Sequence, residues 1–279
     1  MNSLSQVLDP KTKDGKSYYL HLNKGDLPGY VIVPGSPERI EKIAANWENV
    51  VDVAHNRHYI SKRGTFNGTE QGATSTGIGA LSAEICFNEL AKAGVHTCLR
   101  IGTCGCIDPE YDNGDLLIPY AVIRKDGSSE CYIEPEFPSF ADPIVVMSLA
   151  EACERLGYKY GLAFEYTAGS FYMGQGRPLS DEPGSYWPSW AEHILPDIEK
   201  QGVQVLEMDT GGQFVIAYLH GIRMGAILAV VANRKNNNFG YNGGEEKACL
   251  ATSLAIQILK EWDDAGKFGG LGRVSWPRN

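Results

Sequence analysis

The chain of 279 residues carries a formal net charge of −9, a length suited to one large α/β domain with an ample buried core and a charge that argues against a nucleic-acid polymer, whose binders usually present a basic face. Screening over roughly 8 Å still lets a few local arginines hold a small anion. No apolar run approaches the ~20 residues of a membrane-spanning helix, and the N-terminal MNSLSQVLDPKTKDGK lacks the apolar core of a secretory signal, so a cytoplasmic protein is expected. YVIVPG, residues 30–35, is an apolar run ending in glycine before the helical stretch SPERIEKIAANW. It reads as strand, turn and helix. VVDVAH and HYISKRGTFNG follow as a hairpin-like pair, then the short run QGATSTG. ALSAEICFNELAKAG has helical spacing from Ala80 and a stop at Gly94. TCLRIGTCGC is a strand that breaks into glycines, and GDLLIPYAVIR is another. Helices are expected over Pro143–Leu156 and Ser189–Gly202, with strands at YGLAFEYTAG and VQVLEM. Helix in GGQFVIAYLHG, strand in RMGAILAVVANR and helix in EEKACLATSLAIQILKEW complete the alternation. A mixed, largely parallel sheet flanked by helices is the class to expect.

The seven cysteines are odd in number and lack the spacing of a disulfide framework. Cys104 and Cys106 have no second ligand pair nearby, so buried thiols are expected and no metal. RKDGSSECYIEPEFPSFAD and QGRPLSDEPGSYWPSW read as loops, and the tail KFGGLGRVSWPRN as frayed or docked on a neighbour.

Several stretches offer chemistry. In VPGSPER, Gly35 ends a strand and Arg39 lies one helical turn on, which is either a tight turn with a solvated arginine or a meeting of N–H groups and guanidinium around an oxyanion. Arg100 lies inside the apolar strand LRIGTCG. A buried charge needs a partner, here a carboxylate or a bound anion, and the hydroxyl of Thr103 at the next turn tips the balance toward the anion. FYMGQGR sets Phe171 near Gln175 and Arg177, a polar loop or a complement to the edge of a uracil ring. In QVLEMDTGGQF, Glu207 and Asp209 flank Met208 at a strand end. Alternation would turn both acids into one cavity and Met208 away from it; the other reading makes Asp209 a helix N-cap with Glu207 incidental. His21 and Arg57 draw no notice alone. The absence of G-x-G-x-x-G after a strand, Walker A, H-E-x-x-H and G-x-S-x-G weakens dinucleotide, nucleoside triphosphate, zinc-protease and serine-hydrolase chemistry.

Taken in order, VIVPGSPERIEKIA, STGIGALSAEICFNEL, LRIGTCGCI, GSFYMGQGR and LEMDTGGQF resemble the nucleoside phosphorylase-I family, and within it the members that cleave uridine. The resemblance runs from about His21 to the helix around Leu259. It implies one domain over residues 1–279 with a distorted central sheet, no cofactor, and reversible cleavage of uridine by inorganic phosphate to uracil and ribose 1-phosphate. 2'-Deoxyuridine and thymidine are further candidate substrates. By motif, Gly35, Arg39, Arg100 and Thr103 resemble the phosphate cradle, and Arg57 the arginine that a neighbouring subunit adds to it. His21 resembles the neighbour's histidine at the ribose 5'-hydroxyl. Gln175 and Arg177, with Phe171 beside them and Arg234 behind, resemble the uracil grip, while Glu207, Met208 and Asp209 resemble the sugar holder. Catalysis is expected to rest on Arg100, Gln175, Arg177 and Glu207. A homodimer is implied as the smallest unit, with a hexamer as the larger assembly. Two departures stand out. Asp209 occupies a position where the family usually has Glu, and His58 stands where bacterial members carry a Glu that helps bind potassium. Purine members place an Asp near the end of the later strand, where this chain has Asn233 and Arg234. A purine phosphorylase, a nucleosidase using water, and a non-catalytic nucleoside-binding protein are the alternatives.

Overall fold

Apolar residues on both faces make Tyr30–Pro34 an interior strand, and all five of its residues are buried as β1. It lies parallel between Thr69–Thr74 (β4) and Thr97–Cys106 (β5), as expected of parallel strands covered on both faces. The computed structural model describes residues 7–272. The tail expectation falls partly on residues 273–279, outside the described residues, while Lys267–Gly272 forms a 3-10 helix.

Glu48–Asn56 (β2) and Tyr59–Phe66 (β3) make the expected hairpin, and β3 continues antiparallel onto β4. On the other side of β5, the strands Leu116–Lys125 (β6), Tyr160–Ala168 (β8), Val205–Glu207 (β9) and Arg223–Asn233 (β10) join it. β10 runs parallel to β5 and antiparallel to β6, β6 pairs with β8, β8 with β9, and β9 returns antiparallel to β5. Five strands therefore close into a circuit, the form that the expected distortion of the sheet takes. Two-residue strands at Ser139–Phe140 (β7) and Asn238–Phe239 (β11) extend the edges; neither is long enough to carry an alternating pattern in sequence.

Arg39–Ala44 (α1), Ala80–Ala93 (α2), Pro143–Leu156 (α3), Ser189–Lys200 (α4), Thr210–Leu219 (α5) and Gly244–Asp264 (α6) supply the helices. α2 stops at Gly94, whose φ of 95° is the left-handed stop expected there. Asp142 caps α3 through the N–H groups of Ile144 and Val145 at 2.8 and 3.2 Å. α6 packs across β1, β4, β5 and β10 and against α3, while α5 packs on β6, β7 and β10 and against α2. At the start of β10, Arg223 meets Asp263 of α6 and Thr97 of β5. Six of the seven cysteines are buried as free thiols, and Cys131 is exposed. No helix among the described residues is long and apolar enough to cross a membrane.

Candidate active site

A cavity of about 300 Å³ opens where β1, β5, β9 and β10 end, the place where open α/β sheets bind ligands. Gly35, Arg39, Arg100 and Thr103 line one part of it, Phe171, Gln175 and Arg177 another, and Glu207, Met208 and Asp209 lie between. Ten residues from four separate motifs thus share one wall. Met208 belongs to that wall, so the simple alternation that would turn it away does not hold: β9 ends at Glu207, and beyond it the chain turns into α5.

Arg100 is 3% exposed. Its Nη2 donates to Glu207 Oε2 at 2.9 Å and to Asp209 Oδ2 at 2.7 Å. The carboxylate partner expected of a buried arginine is present, and it takes one nitrogen, while Nε and Nη1 remain without a partner. A Cβ on Gly102 would lie 3.1 Å from Nη2 and 2.5 Å from Leu228, so only glycine leaves room for the guanidinium on that face. Nη1 points to the turn after β1, 3.7 Å from where a Cβ of Gly35 would be. Arg39 borders the same turn. Its Nη1 donates to the Ile101 carbonyl at 3.2 Å, its Nη2 pairs with Glu245 of α6, and Nε is buried and unpaired.

The opening of α5 reverses the cap expectation. Asp209 occupies the N-cap position but makes no side-chain cap bond. Glu207 does that work: its carboxylate accepts from the N–H of Asp209 at 2.7 Å and of Thr210 at 2.8 Å, two of the donors that a helix start leaves open. Gly211 N–H donates to Thr167 Oγ1 at 2.9 Å, an approach close enough that a Cβ on Gly211 would stand 3.1 Å from Thr167. Burial opposes ionisation of Glu207, but Arg100, Thr167 and the N–H groups hold its carboxyl below the ordinary value. Asp209 differs. Burial pushes its carboxyl up to about 6 against the pull of Arg100, and Oδ1 has no partner.

Gln175 is 2% exposed. Its Nε2 donates to the Glu207 carbonyl at 3.3 Å and its Oε1 accepts from Arg177 Nη1 at 2.6 Å. Arg177 also donates to the Phe171 carbonyl at 2.7 Å and lies over the Phe171 ring, 3.9 Å from its centroid. Arg234 does not line the cavity. It stands behind, donating to the Gln175 carbonyl at 2.7 Å, and burial with the nearby Arg177 lowers its guanidinium to about 10.

His21 and Arg57 also lie outside this cavity wall. Arg57 is the first residue of the two-residue turn between β2 and β3, with φ 56°, and its guanidinium is 5.3 Å from the Tyr19 ring centroid. His21 has φ 55°. Left-handed backbone at residues with a Cβ costs about 1 kcal/mol or more and clusters at functional positions. His58 Nε2 is 2.7 Å from Ser82 Oγ.

Sequence reasoning missed three contributors. Glu165 of β8 is fully buried beneath Glu207, Thr167 bridges the two, and Glu245 pairs with Arg39. Glu165 in YGLAFEYTAG is, like Arg100, a charge inside an apolar strand, a signal that could have found it. A second cavity of about 310 Å³ is lined by Phe140, Phe214, Met224 and Phe268, and two of its charged residues, Arg223 and Asp263, are paired with each other.

Residues 30–260 match the family model of the phosphorylase superfamily. A uridine phosphorylase of Thermococcus kodakarensis is 38% identical over 261 residues, covering 94% of this chain and 93% of the relative. The uridine phosphorylase of Escherichia coli (strain K12) is 35% identical over 88% of this chain and 95% of its own length. A guanosine phosphorylase of Halorubrum lacusprofundi is 30% identical over 87% and 96%. With a match of this extent joined to a cavity built from the same motifs, the chain belongs to the phosphorylase superfamily.

Proposed function

We propose that this protein is a uridine phosphorylase, cleaving uridine reversibly with inorganic phosphate to uracil and ribose 1-phosphate. The observation that carries the reading is the pair of unpartnered nitrogens on Arg100, of which Nη1 faces the Gly35 turn, in the same cavity as the Gln175–Arg177 pair. Phosphate lies between Gly35, Arg39, Arg100 and Thr103, where donors already fixed in place convert attack on the anomeric carbon into an oriented step. Asp209 Oδ1 accepts a ribose hydroxyl, while Glu207 holds Arg100 and the start of α5 in register. Gln175 and Arg177 take the uracil edge against Phe171 and stabilise the negative charge that grows on the base as the glycosidic bond breaks. The step needs neither a side-chain nucleophile nor an organic cofactor.

Purine is disfavoured by Asn233. Its Nδ2 donates to the carbonyls of Asp108 and Tyr111 at 2.9 and 2.5 Å, and its Oδ1 accepts from the N–H groups of Lys235 and Asn236 at 2.8 and 3.0 Å. Both ends of the amide are committed to the loop, and an amide supplies no acid proton to a purine ring. Base release measured from uridine and inosine, each with and without phosphate, tests the assignment. Uracil should appear only with phosphate, and equal rates in phosphate-free buffer would assign a hydrolase.

Arg57 and His21 act in this reading from a neighbouring subunit, which makes a dimer the smallest active unit. Arg57→Ala and Arg100→Ala chains, each weakly active, should regain activity when refolded together, since mixed dimers hold one site with both arginines. Verified heterodimers without recovery would put Arg57 in its own subunit's site or outside it altogether.

A further inference from the structure

The contacts of Thr167 count protons beneath the cavity. Its Oγ1 lies 2.6 Å from Glu165 Oε1, 2.7 Å from Glu207 Oε1 and 2.9 Å from the Gly211 N–H that it accepts. A hydroxyl has one hydrogen. It can donate to one carboxylate only, so the other short contact requires a proton on the carboxyl itself. Glu207 already accepts from two backbone N–H groups and from Arg100, which marks it as the anion. Glu165 is fully buried, has no cation in contact, and its Oε2 is without a partner.

We propose that Glu165 is a neutral carboxylic acid donating from Oε1 to Thr167 Oγ1, which directs the single Thr167 hydrogen to Glu207 and keeps Glu207 the anion that orients Arg100 and the start of α5. Glu165 is therefore a positioning residue. The charge balance agrees: Glu207 and Asp209 pair with one arginine and Glu165 lies beyond them, at 4, 5 and 0% exposure, and three buried anions against one cation would be costly. Around Glu165 stand Thr167 on its own strand, Glu207 from β9, Arg100 and Cys104 from β5, and Asp209 beyond Arg100. Burial and then the neighbouring Glu207 push its carboxyl well above the ordinary range.

Infrared spectroscopy of the ligand-free protein at about pH 8, where Asp209 with its value of about 6 is ionised, reads the proton directly. The carbonyl stretch of a neutral carboxylic acid, shifted by deuteration, should be present in the wild type and in Asp209→Asn and missing from Glu165→Gln. A wild type without the band, or a band that survives in Glu165→Gln, overturns the assignment. The consequence for catalysis rests on the proposed phosphorolysis. Glu165→Leu should lower kcat/KM for uridine about tenfold, the loss of one net hydrogen bond, and Glu165→Gln, whose amide N–H can replace the acid proton, should recover most of it. Equal kcat/KM in the Leu and Gln variants overturns the positioning role. The infrared result stands whether or not uridine is the substrate, so the two readings fail separately.

Discussion

Arg223 at the start of β10 and Arg100 midway along β5 are both 3% exposed, on strands paired with each other. At the first, every guanidinium nitrogen has a partner: Nη1 and Nη2 grip Asp263 at 2.9 and 2.6 Å, and Nε and Nη2 reach Thr97 Oγ1 at 3.1 and 2.9 Å. Asp263 also accepts from Tyr30 at 2.5 Å. That end of the sheet is closed on itself and ties α6 to the strands. At the second, both acceptors crowd onto Nη2 while Nε and Nη1 have none. Burial is therefore no guide to role. The distribution of hydrogen bonds over the three nitrogens separates an arginine whose donors are all used from one that keeps two donors open, the property on which the proposed phosphate site rests.

The same substitution at both positions breaks the comparison most sharply. Lysine keeps the charge and loses the planar fork. Arg100→Lys should lower kcat/KM by about a hundredfold to a thousandfold, as for one lost preorganised donor, and raise the phosphate KM, with the denaturation midpoint little changed. Arg223→Lys should leave both KM values in place and cost about 2 to 3 kcal/mol of stability, the worth of hydrogen bonds to a charged group. Denaturant unfolding beside steady-state kinetics measures both, and an Arg100→Lys enzyme with an unchanged phosphate KM would make the two arginines alike.

Next in size is Arg177→Leu, which should cut uridine turnover on the order of a hundredfold by removing a donor from the developing uracil anion. Inosine cleavage that improves while uridine cleavage is undiminished would contradict the uracil assignment and leave Arg177 as a companion of Phe171.

The smallest effect sharpens the difference between the two acids on Arg100. Burial pushes the Asp209 carboxyl up to about 6, and in the proposed function its anion both pairs with Arg100 and accepts a sugar hydroxyl. kcat/KM for uridine should therefore rise as pH rises through about 6. Asp209→Asn should lack that limb and lose about 1.5 to 3 kcal/mol of transition-state binding at pH 8. Comparing the two enzymes at matched phosphate cancels the titration of phosphate itself. An unaltered acid limb in the variant would assign it to another group.

Local signals made much of this legible. Apolar runs ending in glycine placed β1 and β5, helical spacing with a terminal glycine placed α2, and the residue types in VPGSPER, LRIGTCG, FYMGQGR and LEMDTGG singled out the lining of one cavity. Those features depend on neighbours a few residues apart, which is what periodicity and turn chemistry report. Partner choice was different. That Glu207 rather than Asp209 caps α5 and that Glu165 sits beneath Glu207 depend on how β8, β9 and α5 come together, and that Arg39 pairs with Glu245 depends on how α1 meets α6. The sheet also closes only because β10 pairs with both β5 and β6. A buried polar group must find an acceptor wherever the fold provides one, so the sequence alone determined which side chains carried charge into the core, and the tertiary structure decided which of their hydrogen bonds remained open for a ligand.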